Sequence, residues 1–196
     1  MRNWRARLTP LQQRTYDRSS SITSIPLTPP LPLLEATRAL QGALAADDHR
    51  RVEGLAQTIV NHICWQLNVR SVHVQVQGIR PSNQRGELHG LYTHYSSAHQ
   101  SNSIRVWMRT AKRGQVVAFR TFLRTLLHEV CHHLDYEYFH LRESYHTEGF
   151  FQRESSLFRA IVQQPAQKKP PSSLSAMVRD ILASRGQHNG GSGQDQ

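Results

Sequence analysis

An α+β fold, in which helices precede and follow the strands of a small antiparallel sheet along the chain, is predicted by two changes of hydrophobic period in the 196-residue sequence. Apolar residues recur at helical spacing before residue 71, alternate with polar residues up to about residue 110, and return to helical spacing after about residue 115. Strands that occur together, with helices before and after them, indicate an α+β domain. We therefore expect about three strands that precede a long helix.

Two helices are predicted before the sheet. The segment LLEATRALQGALAA, which follows Pro32, has a helical composition, and Asp47 or Asp48 can cap a second helix after it. In that second helix, apolar side chains recur at helical spacing, namely Val52, Leu55, Ile59, Ile63 and Leu67. These residues are expected to face the core.

The strands are predicted from alternating patterns in the segments SVHVQVQ, GELHGLYTHY and SIRVWMRT, which begin at Ser71, Gly86 and Ser103. Helical spacing then extends from about Gln115 to Tyr138, and a partner helix is expected from about residue 148 to residue 163. The sequence thus predicts N-terminal helices, a small antiparallel sheet, a long helix and a following packed helix.

Both ends of the chain are expected to lie outside the packed domain. Residues 1–32 are basic and end in SIPLTPPLPLL, which is typical of a flexible, Pro-rich arm. Residues 166–196 contain a Lys- and Pro-containing linker, a segment that could form a short amphipathic helix, and the tail NGGSGQDQ, which should be disordered. The domain itself is therefore predicted to span residues 33–165.

Hydropathy and cysteine content indicate where in the cell the protein is expected. No apolar run approaches the roughly 20 residues that a membrane helix needs, and the basic N-terminus is not followed by the apolar stretch of a signal peptide. The two cysteines, Cys64 and Cys131, are expected to be buried thiols rather than a disulfide. A cytoplasmic protein without membrane contact is predicted.

The segment His128-Glu129-Val130-Cys131-His132 is an HExxH motif within the long predicted helix. Histidines four residues apart lie on one helix face, so both imidazoles can reach one metal ion. Glu129 lies beside the first of them and can act as a general base towards a water that Zn²⁺ makes more acidic. The motif predicts one zinc ion, held by His128 and His132, with Glu129 as the catalytic residue.

A catalytic zinc site needs a third protein ligand and an open fourth position. The extended pattern HExxHxxGxxH does not apply, because its last two positions are Asp135 and Tyr138. Three candidates remain nearby in the sequence, namely His146, Glu148 and Glu154.

The combination of HEVCHH with the later HTEGF resembles the SprT-like (Spartan-type) metallopeptidases, which pair HExxH with a downstream His-x-x-x-Phe. The matching residues are His146 and Phe150, and the resemblance covers roughly residues 50–163. It implies a zincin-like domain, zinc-dependent proteolysis and His146 as the third ligand. It also implies substrates attached to DNA, on which the best-understood members act.

Glu154 is the rival of His146 for the third position. On a helical projection it lies between Phe150, Leu157 and Phe158 on the apolar stripe, where an unpaired carboxylate is costly. It must therefore bind zinc or accept a hydrogen bond from a ligand histidine or an arginine. We favour His146 as the ligand with Glu154 in an outer, supporting position, and we assign Glu148 to the helix N-terminus.

A basic segment lies in the sheet region. Residues 70–124 contain nine Arg and Lys residues against one acidic residue, Glu87, within a chain of net charge +10. Such an excess attracts polyanions, so DNA is one expected partner, and a solvated basic face is the equal alternative. The candidate contacts are Arg105, Arg109, Lys112 and Arg113.

Other residues near the motif have two interpretations each. Asp135 either orients a ligand imidazole or is solvated on the helix surface. Three tyrosines could donate to an oxyanion, although core or surface roles are favoured for each: Tyr136, Tyr138 and Tyr145.

The predicted function is a zinc-dependent peptidase that acts on protein or peptide substrates. The substrate is expected to lie extended along a sheet edge formed by SIRVWMRT. Two alternatives remain open: a non-enzymatic nucleic-acid-binding module with a structural zinc site, and a zinc hydrolase of non-peptide substrates.

Overall fold

The structure, a computed structural model, describes residues 4–84, 86–95 and 100–162. A short 3-10 helix, Trp4–Arg7, precedes three helices: α1 (Pro10–Ser21), α2 (Leu31–Ala45) and α3 (His49–Gln66). Five strands follow: β1 (His73–Ile79), β2 (Ser82–Asn83), β3 (Gly86–Glu87), β4 (Gly90–Thr93) and β5 (Ser103–Arg109). Two helices, α4 (Phe119–Glu137) and α5 (Glu148–Val162), complete the described part. The predicted linker, helix and tail at residues 166–196 lie outside the described residues.

The main sheet has three strands in the order β1-β5-β4 and is mixed. β5 pairs in parallel with β1, where Val74 lies opposite Ile104, and antiparallel with β4, where Tyr92 lies opposite Ile104. The prediction of an antiparallel sheet is therefore wrong for β1. Parallel neighbours need a long connection, and residues 80–102 supply it with the β2–β3 hairpin and β4.

The core lies between one face of this sheet and the helices. The alternating apolar residues of the strands are buried on that face, as predicted, and α3 and α4 pack against it. On α3 the predicted stripe is buried at Val52, Ile59 and Ile63, and Asp48 caps the helix by accepting the amide of Arg51. The α+β prediction is confirmed, with a three-stranded sheet whose buried face packs against α3 and α4.

The N-terminal segment differs from its prediction as a flexible arm. Residues 10–21 form α1, which packs against α5. Arg18 Nη2 donates to the carbonyl of Phe139 at 2.8 Å. Ile25 and Leu27, from the Pro-rich stretch, are buried in the core. Residues 22–30 form no helix or strand, but the apolar residues between the prolines still pack, and α2 begins at Leu31 within the same stretch. The Pro-rich composition therefore led to the wrong prediction of a flexible arm.

Two further predictions concern membranes and cysteines. Within the described ranges, every helix is too short or too polar to cross a membrane. Cys64 and Cys131 are free and buried, as predicted, and burial raises the pKa of the Cys64 thiol to about 12.

Candidate metal centre

Three imidazoles converge where α4 passes the loop before α5. His128 and His132 project from consecutive turns of α4, and His146 lies in the loop two residues before Glu148, where α5 begins. The Nε2 atom of His146 is 3.0 Å from Nε2 of His128 and 3.0 Å from Nε2 of His132. These are the three residues for which the sequence predicts metal ligation, and the fold brings them together.

The partners of the outer ring nitrogens determine which tautomers are present. His128 Nδ1 faces the carboxylate of Glu154 at 3.1 Å, so it carries a proton. His132 Nδ1 is 2.7 Å from Ser144 Oγ, whose own proton goes to Asp135 at 2.6 Å, so this Nδ1 is also protonated. The Nε2 atoms of His128 and His132 therefore both direct lone pairs inward.

The donor set fits a zinc ion. Tetrahedral Zn²⁺ with nitrogen ligands at about 2.0–2.1 Å separates those nitrogens by roughly 3.3 Å, and the three ligand atoms here lie within 4.8 Å of one another. His146 Nε2 can donate a proton to one inward lone pair but not to both, whereas a cation would satisfy all three nitrogens. Burial, reinforced by the neighbouring histidines, lowers the pKa of His132 to about 3 and keeps it in the neutral form that metals bind.

Phe150 forms the floor of the cluster. Its buried ring lies 5.0, 4.7 and 5.1 Å from the imidazole centroids of His128, His132 and His146, respectively. The exposed ring of Phe151 stacks on His146 at 5.8 Å from the other side. Two successive aromatic residues at the start of α5 thus restrict the ligand rings.

No protein-family model, no curated protein and no solved structure matches this chain. Its relationship to the SprT-like metallopeptidases therefore stays a prediction from the two motifs.

Glu129 lies beneath strand β4. Its side chain is only 6% exposed, and burial raises the pKa of the carboxyl group to about 7. A Cβ atom at Gly90 would lie 2.3 Å from Glu129 Oε1, so only glycine leaves room for the carboxylate where it stands. The backbone of Tyr92 also hydrogen-bonds this carboxyl group. The strand therefore determines where the predicted base can lie.

The histidine cluster opens into a cleft along β4. A pocket of about 320 Å³ contains the three histidines and extends to His94 and Tyr136, while a pocket of about 310 Å³ on the other side of Glu129 extends to His89 and Arg124. The strand beside the cleft is β4, at the end of the sheet order, whereas β5 is the central strand. The prediction that the SIRVWMRT strand offers a free edge is therefore wrong, because both of its edges are paired.

The rival ligand candidates lie outside the histidine cluster. Glu154 contacts Nδ1 of His128 and accepts a hydrogen bond from Arg124 at 3.3 Å. Glu154 thus contacts the outer edge of the His128 imidazole, which is the position predicted for a residue that supports a ligand. Glu148 is exposed in the first turn of α5 and accepts a hydrogen bond from Gln152.

The structure distinguishes between the two interpretations given above for Asp135 and for the three tyrosines. Asp135 is fully buried and accepts from Ser144, so it supports His132 rather than being solvated. Of the three tyrosines, Tyr136 lines the cleft, stacked on His94 with ring centroids 4.0 Å apart. Tyr138 packs against the core and Tyr145 donates to Glu143.

Three residues of the site were not predicted from the sequence, namely Ser144, Arg153 and Gly90. Arg153 donates to Asp135 at 2.8 Å, with both side chains fully buried. Its position on the apolar stripe of α5, three residues after Phe150 and four before Leu157, was the available signal. Ser144 and Gly90 carry no local signal, because their roles depend on partners far along the chain.

The predicted nucleic-acid contacts lie on β5 and in the turn that follows it. Arg105 is exposed on β5, on the opposite face from the buried Ile104 and Val106, and Lys112 and Arg113 are exposed in the turn after β5. Arg109 forms an ion pair with Asp47 and donates to Gly114, so part of its charge is neutralised. The structure describes no contact of these residues with the metal centre.

Proposed function

We propose that this chain is a zinc-dependent peptidase with a zincin-like domain. The observation that carries the proposal is the convergence of three imidazole nitrogens beside a buried glutamate, next to the end strand of a sheet. His128, His132 and His146 would hold one zinc ion, which would supply a Lewis acid that polarises a carbonyl group and acidifies water. Three protein ligands leave a fourth position for the reaction, as catalytic zinc sites require.

Glu129 would act as the general base and acid. Its carboxylate, next to the first ligand, would accept a proton from the attacking water and return it to the departing amine. A carboxyl group whose pKa is raised by burial is suited to both transfers at neutral pH. Gly90 and the backbone of Tyr92 hold it in one place, so no rearrangement is needed before the proton moves.

The substrate class follows from the strand beside the cleft. An extended peptide can pair with the outer edge of β4 through its backbone, which provides affinity without strict side-chain selection. If the pairing is antiparallel, the N-terminal side of the peptide lies near His94 and Tyr136 and its C-terminal side near His89 and Arg124. This edge favours peptide over non-peptide substrates.

The structural-zinc alternative is less well supported. A structural site is closed by four protein ligands, whereas the cluster among the described residues comprises three. A buried glutamate beside the ligands also has no purpose in a structural site, because burying a carboxylate is costly.

DNA-associated proteins are the substrates that we infer from the basic segment and the motif resemblance. The exposed Arg105, Lys112 and Arg113 would attract phosphates without reading sequence, and they lie apart from the cleft. Nucleic acid bound at these three residues would leave the proposed metal centre accessible to a protein that is attached to the same nucleic acid.

The test compares two glutamate-to-glutamine variants. Glu129→Gln should retain zinc but lose hydrolysis of casein, by about 10²-fold or more, because an amide cannot accept the proton. Glu148→Gln is the matched control, since Glu148 is exposed outside the cluster, and it should behave as wild type. Full activity in Glu129→Gln would refute the mechanism, and a wild-type chain that binds no zinc would refute the metal site.

A further inference from the structure

A chain of hydrogen bonds leads from one candidate ligand into the protein interior. His132 Nδ1 is 2.7 Å from Ser144 Oγ, and Ser144 Oγ donates to Asp135 Oδ2 at 2.6 Å. Partners on the outer nitrogen of a ligand histidine fix its tautomer and its ring orientation. The position of the Asp135 carboxylate therefore determines how His132 presents its inner nitrogen.

Asp135 is held by Arg153. Arg153 Nη2 donates to Asp135 Oδ1 at 2.8 Å, and both side chains are 0% exposed. A buried ion pair is costly unless most of its remaining hydrogen-bonding atoms also find partners. Of the three guanidinium nitrogens of Arg153, Nε has no hydrogen-bond partner among the described residues. The guanidinium has five N–H groups, so a single carboxylate cannot satisfy it.

The end of α1 supplies the missing acceptors. Arg153 Nη1 donates to the carbonyls of Ser19 and Ile22 at 2.6 and 2.7 Å, and Nη2 also donates to Ser19 Oγ at 3.1 Å. The last carbonyls of a helix lack intrahelical partners and carry partial negative charge, so they suit a buried cation. The guanidinium thus connects α1 directly to Asp135.

The start of α5 is shaped to receive α1. A Cβ atom at Gly149 would lie 2.4, 2.5 and 2.8 Å from the carbonyl oxygens of Ser19, Ser20 and Ile22. Thr147, which directly follows His146, places its hydroxyl 3.1 Å from Ser19 Oγ and accepts the amide of Phe150. The same turn of α1 therefore also contacts the residue next to the third candidate ligand.

We propose that α1 is a structural part of the metal centre and that its docking sets the affinity for the metal. Arg153, Asp135 and Ser144 are positioning residues, which transmit the position of the α1 C-terminus to His132. The inference rests on the metal site of the proposed function, and it is independent of whether the site hydrolyses peptides.

The main test moves α1 without altering any residue of the hydrogen-bonded chain. Gly149→Ala adds a methyl group against three backbone oxygens that cannot rotate away, so the α1 C-terminus must shift. We expect the affinity of the full chain for Zn²⁺, measured by competition with a chromophoric chelator, to fall at least tenfold. Gly54→Ala, in α3 with nothing within 4 Å of the added atom, is the matched control and should bind as wild type.

A double variant separates positioning from general destabilisation. Ser144→Ala breaks the connection between Asp135 and His132 and should weaken zinc binding about 10- to 100-fold. If α1 acts through this connection, adding Gly149→Ala to Ser144→Ala should cost little more. If the fold losses of zinc affinity in the two single variants multiply in the double variant, the two changes act independently and the proposed route is overturned.

A milder pair of variants covers the case in which Gly149→Ala does not fold. Ser19→Ala removes the hydroxyl that contacts Arg153 and Thr147, while Ser21→Ala removes an exposed hydroxyl of the same helix. Zinc affinity should fall several-fold in the first variant only. Equal affinity in Ser19→Ala and wild type would overturn the inference. A wild-type chain without zinc affinity would refute the metal site itself and the inference with it.

Discussion

Replacing Gly90 with alanine should displace the catalytic base while leaving the metal ligands in place. The added Cβ would lie 2.3 Å from Glu129 Oε1 and 2.9 Å from both Cγ and Cδ of that side chain. Non-bonded atoms are at their optimal separation at about 3.5 Å or more, so the carboxylate must retreat by about 1 Å. The backbone at Gly90 has an ordinary φ angle, and the obstructing atoms end a flexible side chain, so Glu129 rather than the fold should yield.

The size of the effect follows from that displacement. A misplacement of about 1 Å in a catalytic group costs about 10²-fold in rate. We therefore expect casein hydrolysis by Gly90→Ala to fall about 10²-fold, with zinc affinity unchanged, because the three atoms nearest to the added Cβ all belong to Glu129 and none to a candidate ligand. Stability should change by no more than about 1 kcal/mol, since alanine also restricts the unfolded chain.

The assays separate these effects, and the chain offers a matched control. Gly78→Ala, on strand β1, has nothing within 4 Å of its added atom, so it should keep full activity and gain about 0.4–1 kcal/mol of stability. Hydrolysis rate, zinc competition and thermal unfolding are measured on both variants. If Gly90→Ala hydrolyses casein as fast as wild type while Glu129→Gln is inactive, then the close contact with β4 does not position the base.

Two other predictions concern the third ligand and the basic segment. His146→Ala should lose zinc far more severely than Glu154→Gln, for which a loss of about 10- to 100-fold is expected from its outer contact with His128; retention of zinc in His146→Ala and its loss in Glu154→Gln would reverse the assignment. Binding to DNA of any sequence should weaken steeply with salt. The slope of the logarithm of the binding constant against the logarithm of the salt concentration should decrease in magnitude by about 0.9 for each phosphate contact that is lost. Glutamine at the four predicted contacts should reduce that slope, namely at Arg105, Arg109, Lys112 and Arg113. Glutamine at three exposed arginines on other elements should leave the slope unchanged, namely at Arg38, Arg50 and Arg51. DNA affinity that is equal in both sets would leave only a solvated basic face.

Local features of the chain were predictable because their causes are local. HExxH places two imidazoles on one face of any helix, so the pairing of His128 with His132 needs no tertiary information. The helical stripes and the alternating strands likewise follow from which side chains must be buried. His146 required a resemblance between motifs, because nothing in the spacing alone places a loop against a helix.

The sheet was predicted less well, because alternation specifies faces and not neighbours. The alternating apolar residues of β1 and β5, among them Val74 and Ile104, are buried, yet the same pattern fits parallel and antiparallel pairing equally. The identity of the end strand depends on that pairing. This is why the free edge was assigned to β5 rather than to β4, although both strands were recognised.

The helix α5 shows why the N-terminus was misjudged. The apolar stripe of α5 carries two charged residues. Only Glu154 was recognised from the sequence as a buried charge, with a ligand histidine of the HExxH motif as its expected partner. Arg153 is the more deeply buried of the two, at 0% exposure, and its pair Asp135 lies on α4. Because that pair leaves N–H groups of the guanidinium unsatisfied, burial of Arg153 requires further acceptors, and these come from Ser19 and Ile22. A chain that buries this arginine must also dock the segment before residue 32, so that segment cannot behave as a free arm in the folded protein.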